Sequence, residues 1–158
     1  MHDLLVLRHA QAESAAPGDG DFERRLSPDG LIQADAAGQW LASHAPRPGL
    51  ILCSPAQRTR MTATRVLEAL APTAPPVQFV DGIYEATPGQ LVALLDRHAD
   101  TECVLLIGHN PGLEHLVALL CQGRSPDFRG MPSAAVAHIR LDGPLEPGNG
   151  CLLAFHTH

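Results

Sequence analysis

Leu4-Leu5-Val6-Leu7-Arg8-His9-Ala10 is the stretch from which the rest of the chain is read. Four apolar residues in a row, followed soon by polar and Gly/Pro-rich sequence, spell a strand buried on both faces. Such strands belong to parallel sheets, and open α/β sheets bind ligands at their carboxyl edge. Arg8 and His9 fall on that edge, which makes them the first candidates for a site. The alternative is that Arg8 caps the strand at the surface and His9 packs in a loop. What stands at the ends of the other strands decides between the two.

Moving outward, residues 11–26 are polar and carry Pro17, Gly18 and Gly20, the composition of a loop, with Arg24 and Arg25 at its end. Ser27-Pro28-Asp29 supplies an N-cap, a first-turn proline and an acid at a helix start. The spacing of Leu31, Ala34, Ala37, Gly38 and Leu41 predicts a helix to about Ala45, stopped by Pro46 and Pro48. Leu50-Ile51-Leu52-Cys53 is a second buried strand, with Ser54-Pro55 expected to cap a helix from about Ala56. Met61, Ala63, Val66, Leu67 and Leu70 form the inner face of that helix. Val77 to Val80 predicts a third strand near an edge. Thr87-Pro88 opens a further helix with Leu91, Leu94, Leu95 and His98 on one face. Cys103 to Ile107 is the most apolar strand, and a helix is expected from about Leu113 to Cys121. After a loop over 123–133, Ala134 to Leu141 and Cys151 to Phe155 read as two final strands around a turn region. Alternating strands and helices mean βαβ units, a mostly parallel sheet and helices on both faces. The last two strands follow without a helix between them, so one edge of the sheet is antiparallel. The expected fold is a three-layer α/β/α sandwich forming a single domain over residues 1–158.

Three buried strands end in conspicuous polar residues. The first ends in Arg8-His9, and the second in Ser54-Pro55 with Arg58 in the next helix. The third ends in Gly108-His109-Asn110. In a parallel sheet all three ends face the same way, so two arginines and two histidines converge. That set suits a phosphoryl group, because arginine presents planar forked donors to phosphate oxygens. Helix N-termini after the second strand and after His109 add backbone donors. Two arginines beside an imidazole favour its neutral form, and a neutral imidazole nitrogen is a nucleophile toward phosphorus. Taken singly, Arg58 could pair with a surface carboxylate and His109 could cap a helix; together the residues point to one pocket.

Composition excludes several classes. The net charge of −6 argues against a nucleic-acid binder working by bulk charge. No apolar run is long enough to span a bilayer, and no secretory leader is read at the amino terminus. Cys53, Cys103, Cys121 and Cys151 show no C-x-x-C pair, and reduced, buried thiols of a cytoplasmic protein are expected. His156-Thr157-His158 is only a weak metal-ligand pattern.

These motifs resemble a known family. Leu7-Arg8-His9-Ala10 resembles the Arg-His-Gly signature of the histidine phosphatase (phosphoglycerate-mutase-like) superfamily. Ser54-Pro55-Ala56-Gln57-Arg58 with Thr62-Ala63 looks like its second arginine motif. Gly108-His109-Asn110-Pro111-Gly112 is similar to the second-histidine motif of the small SixA-type phosphohistidine phosphatases. Asp21 to Leu26 before Gly30, Tyr84-Glu85-Ala86, and Met131 to Ala135 extend the resemblance over nearly the whole chain. Ala10 stands where glycine is usual, a change at home in the SixA-like branch. The resemblance implies a phosphoglycerate-mutase-like fold and a phosphatase without metal or other cofactor. It implies His9 as nucleophile, with Arg8, Arg58 and His109 completing the phosphate pocket. Larger members place a glutamate after the third strand to protonate the leaving group, and Glu85 occupies about that place. Asn110 and Arg24 are the remaining candidates for substrate binding. The implied partner is a phosphorylated histidine-containing protein, since no insertion is long enough for a large lid. The rivals are a small-molecule phosphatase with the same residues and a phosphate- or phosphoprotein-binding module without turnover. A metal-dependent hydrolase is disfavoured because carboxylates do not gather near the histidines.

Overall fold

The computed structural model describes residues 1–123 and 130–158. Six strands form one sheet: β1 (Asp3–Arg8), β2 (Leu50–Cys53), β3 (Val77–Phe79), β4 (Cys103–Gly108), β5 (Val136–Leu141) and β6 (Gly150–His156). Their spatial order is β3-β2-β4-β1-β5-β6. The first four strands pair in parallel, while β5 and β6 add an antiparallel edge. Four helices connect them: α1 (Pro28–His44), α2 (Gln57–Leu70), α3 (Pro88–Asp96) and α4 (Gly112–Gln122).

The pleat explains the three layers. Successive strand side chains point to opposite faces. Leu4, Val6, Val104 and Leu106 join one apolar cluster with Leu91 and Leu95 of α3 and Leu113, Leu116 and Leu120 of α4. Leu5, Leu7, Leu105 and Ile107 join the other with Ala34, Ala37 and Leu41 of α1 and Ala63, Val66 and Leu70 of α2. Both faces are covered, which is why these strands read as unbroken apolar runs rather than alternating ones.

The helix starts follow their capping residues. The Ser27 hydroxyl accepts from Gly30 N at 3.0 Å, with Pro28 in the first turn. Thr87 and Gln90 exchange hydrogen bonds in a capping box at α3. A Cβ on Gly30 would lie 2.0 Å from the Gln11 carbonyl oxygen, so only glycine lets α1 start beneath the loop that leaves β1.

The structure departs from the sequence reading at Ser54, Ala134 and Cys151. Ser54 does not cap α2: the N-cap is Ala56, without a side-chain cap, and the Ser54 hydroxyl turns to His109 instead. β5 starts at Val136 rather than Ala134, because Ala134 takes a left-handed φ of 59° and gives its N–H to the carbonyls of Arg8 and His9. Cys151 is exposed, since alternation along the edge strand β6 turns it outward, whereas Cys53 and Cys103 are buried. His156 stacks on Trp40, and no group of three or more candidate metal ligands gathers among the described residues. Of the loop expected over 123–133, residues 124–129 lie outside the described residues.

Candidate active site

β4 lies between β1 and β2, so the three strand ends sit side by side. Arg8 is in register with Gly108, and Cys53 with Ile107. His9 N donates to Gly108 O at 3.1 Å, and Ser54 N to Ile107 O at 3.0 Å. These bonds carry the sheet register one residue past each strand. The His9 and His109 rings thereby come within 5.2 Å, centroid to centroid.

The two strand-end histidines and Arg58 are buried, at 8 %, 8 % and 6 % exposure. Together with Arg8 they line one pocket of about 700 Å³. Arg24, Glu85 and Asn110 line it as well, so all seven residues singled out from sequence meet at one place.

Hydrogen bonds set the tautomer of His9. Its Nδ1 lies 2.7 Å from the Ala10 carbonyl oxygen. A carbonyl only accepts, so Nδ1 carries the proton and Nε2 holds the lone pair. That lone pair faces Arg58, whose Nε donates to it at 3.3 Å. The Ala10 amide is fixed in turn by donating to Thr62 Oγ1 of α2 at 3.1 Å.

His109 is held from the opposite side. Its Nε2 lies 2.8 Å from Ser54 Oγ, which also accepts the Ala56 N–H at 3.3 Å. The Ser54 hydroxyl hydrogen has no other acceptor among the described residues, so it donates to Nε2 and the imidazole proton sits on His109 Nδ1. That atom is buried and has no protein partner among the described residues, and the same holds for Arg8 Nε. Two buried donors without acceptors each cost about 1–3 kcal/mol, unless a ligand oxygen supplies the bond.

Both imidazoles are kept neutral. Burial pulls His9 down to about 4, with Arg58 and Arg8 adding to the effect and the Ala10 hydrogen bond opposing it. Burial takes His109 down to about 3, helped by His9 and Arg58. The direction agrees with the sequence argument, but desolvation outweighs the arginines as its cause.

The surrounding wall holds the arginines. Arg8 Nη1 donates to Met131 O at 2.9 Å, and Asn110 Nδ2 donates to the same oxygen at 2.8 Å. Asn110 Nδ2 also donates to Glu114 Oε2 at 3.0 Å, so both hydrogens of its amide are engaged within the protein. Arg24 donates to Glu13 O and Asp21 Oδ1. Glu85 is exposed at the rim. A Cβ on Gly112 would come within 2.6 Å of Ala86 O, so glycine lets the segment carrying Tyr84 and Glu85 close on the start of α4.

Sequence reasoning missed three participants. Asp21 sits in a short 3₁₀ turn (Asp21–Glu23) and takes Arg58 on both its carboxylate and its carbonyl. Tyr84 donates its hydroxyl to Asp21 Oδ2 and sets its ring edge-on to His109, 5.3 Å away. Ser54 orients His109. All three lie inside motif stretches already noted, but no residue type or spacing in the sequence says which polar side chain faces which.

The arrangement offers a buried neutral nucleophile beside two guanidinium groups and a second imidazole donor. Known proteins place it in a family. The sequence pattern described as histidine phosphatase superfamily (branch 1) matches residues 4–103. The chain is 29 % identical over 154 residues to the phosphohistidine phosphatase SixA of Escherichia coli (strain K12), covering 93 % of this chain and 88 % of that protein. The crystal structure of the putative phosphohistidine phosphatase SixA from Agrobacterium tumefaciens superposes with a TM-score of 0.86 at 27 % identity, over 99 % of this chain and 98 % of that one. A structure of the protein histidine phosphatase SixA complexed with tungstate gives 0.82 at 26 % identity, over 98 % and 96 % of the two chains. The motifs at the three strand ends, the fold and these likenesses agree: the chain belongs to the histidine phosphatase superfamily and is of the SixA type.

Proposed function

We propose that this phosphatase removes the phosphoryl group from phosphohistidine on another protein, through a covalent phosphohistidine at His9. The observation that carries the reading is the pair of buried, unpartnered donors, Arg8 Nε and His109 Nδ1, beside the lone pair of His9 Nε2. In the first step the Nε2 lone pair forms a bond to phosphorus and the substrate's P–N bond breaks. The departing imidazole, protonated before or as it leaves, keeps the bonding pair. In the second step water attacks the phosphoryl group on His9. Inorganic phosphate leaves, the water's proton goes to solvent or phosphate, and the lone pair returns to Nε2. Arg8, Arg58 and His109 donate to the phosphoryl oxygens and balance the charge of a loose transition state, a task that needs no metal. Asn110 holds the Met131 carbonyl that anchors Arg8, and Arg24 holds Asp21. Residues 1–158 act as one such unit in the cytoplasm. A phosphate-binding module would need the donors but not a desolvated imidazole held neutral with its lone pair on Nε2.

The related SixA structure is complexed with tungstate, a phosphate-like oxyanion, which supports the binding of a phosphate-like anion by this chain. One feature favours a second reading, a small-molecule phosphomonoesterase: Glu85, a carboxyl group at the rim of the pocket. Comparing turnover of a phosphohistidine protein with a panel of phosphomonoesters, with and without a chelator, separates the two. The expected result is the highest kcat/KM on phosphohistidine, unchanged by chelation. Faster turnover of an ester, or loss of activity on chelation with recovery on adding zinc or magnesium, overturns the proposal.

A further inference from the structure

The guanidinium of Arg58 is gripped by Asp21 at one edge and turns the other to His9. Its Nη1 donates to the Asp21 carbonyl at 2.7 Å and its Nη2 to Asp21 Oδ2 at 3.0 Å. These two bonds use the end of the guanidinium fork. The side edge, made of Nε–H and the second Nη2 hydrogen, faces His9, with Nε donating to Nε2 at 3.3 Å. Bidentate recognition of a phosphoryl group needs one whole edge. Asp21 leaves the side edge free and points it at the nucleophile.

Asp21 is itself braced from within its own turn and from the segment after β3. Arg24 Nη1 reaches Oδ1 at 3.1 Å, and the Tyr84 hydroxyl donates to Oδ2. The hydrogen bond from Tyr84, followed by those from Arg24 and Arg58, holds the Asp21 carboxyl well below the usual carboxylate range. It therefore stays charged at any pH at which the enzyme would work. Tyr84 also carries Arg58 over its ring, 5.8 Å from the centroid. The turn after β1, the first turn of α2 and the segment after β3 thus meet on one carboxylate.

We infer that Asp21 is a positioning residue, which acts through Arg58 by fixing which edge of its guanidinium meets the phosphoryl group. This rests on the reading of His9 as nucleophile. During transfer Arg58 hands its Nε–H from the vanishing Nε2 lone pair to a phosphoryl oxygen without reorienting, because Asp21 keeps hold of the far edge. Without the Asp21 carboxylate only the main-chain carbonyl still holds Nη1, so the guanidinium can pivot about that single bond, and a misplacement of about 1 Å is enough to cost on the order of a hundredfold in rate.

The test is a double-mutant cycle in kcat/KM over wild type, Asp21→Ala, Arg58→Ala and the double variant, on whichever phosphorylated substrate is turned over best. Asp21→Ala alone is expected to lower kcat/KM about ten- to a hundredfold. In the Arg58→Ala background the same change is expected to cost less than about twofold, since it has nothing left to position. Asp21→Asn keeps an oxygen acceptor for Arg58 and should recover most of the loss. Inorganic phosphate binding by calorimetry on the same four proteins gives a second cycle, which stands even where turnover of Arg58→Ala is too slow to measure. Additive losses in both cycles, or an Asp21→Ala protein as active as wild type, overturn the inference. His9→Ala run alongside keeps the two claims apart: an active His9→Ala protein refutes the covalent mechanism, whereas an inactive one with additive cycles refutes only the role of Asp21.

Discussion

Replacing Ser54 with alanine should disable His109 without touching it. Ser54 is fully buried, and its hydroxyl is the partner of His109 Nε2 at 2.8 Å. While that hydroxyl donates, the ring proton sits on Nδ1, the buried atom that has no partner in the protein. Without it Nε2 has no protein partner in either protonation state, so nothing holds the proton on Nδ1 and the Nε2–H tautomer, the one a free histidine side chain favours, becomes populated. A lone pair then faces the phosphoryl oxygens where a donor stood. Losing one hydrogen bond to a charged group is worth about 1.5–3 kcal/mol, or roughly ten- to a hundredfold in kcat/KM. The hydroxyl's other contact, the Ala56 N–H at 3.3 Å, is long, so its loss should add little. Two measurements check this: kcat/KM for wild type and Ser54→Ala, and the His109 tautomer from two-bond nitrogen–proton correlations in each. A Ser54→Ala protein within twofold of wild type, or one whose His109 keeps its proton on Nδ1, refutes the argument.

Two further outcomes follow from the same geometry. Imidazole is a better leaving group than an alkoxide, so Glu85→Gln, at the exposed rim, should lower kcat/KM on phosphohistidine by about tenfold or less; a loss of a hundredfold or more there would make Glu85 an essential acid and refute that expectation. Stability should depend on pH through the two depressed imidazoles, since between pH 6.5 and the folded values of about 4 for His9 and about 3 for His109 the unfolded chain binds more protons than the folded one. Stability then falls as pH drops through that window, by up to about 1.4 kcal/mol per pH unit for each histidine, and denaturant titrations of His9→Ala should show a shallower slope than wild type; equal slopes would show that His9 is not held neutral.

The sequence revealed the scaffold because burial on both faces leaves a plain mark. Leu4 to Leu7, Leu50 to Cys53 and Cys103 to Ile107 could only be inner strands, and the polar residues that end them had to share one edge. Ser27 and Thr87 announced their helices through capping chemistry that is local in the chain. The supports of the site were not legible in the same way. Asp21 and Arg58 are 37 residues apart and Tyr84 and Asp21 are 63 apart, so no local pattern records their contact. Ser-Pro before a helix spells a cap at Ser54, but a buried imidazole one strand away takes the hydroxyl instead. Ala134 shows a similar limit. Its left-handed backbone is set by the Arg8 and His9 carbonyls and has no glycine to signal it.

The covalent step through His9 is tested most directly by trapping it. The enzyme is mixed briefly with a ³²P-labelled phosphohistidine protein, quenched in alkali, which preserves phosphohistidine, and digested for mass spectrometry. Label on the peptide containing His9, on that residue, in wild type and its absence in His9→Ala together with loss of turnover is the expected result. Turnover by His9→Ala at close to the wild-type rate, or label found only on another residue, would contradict it.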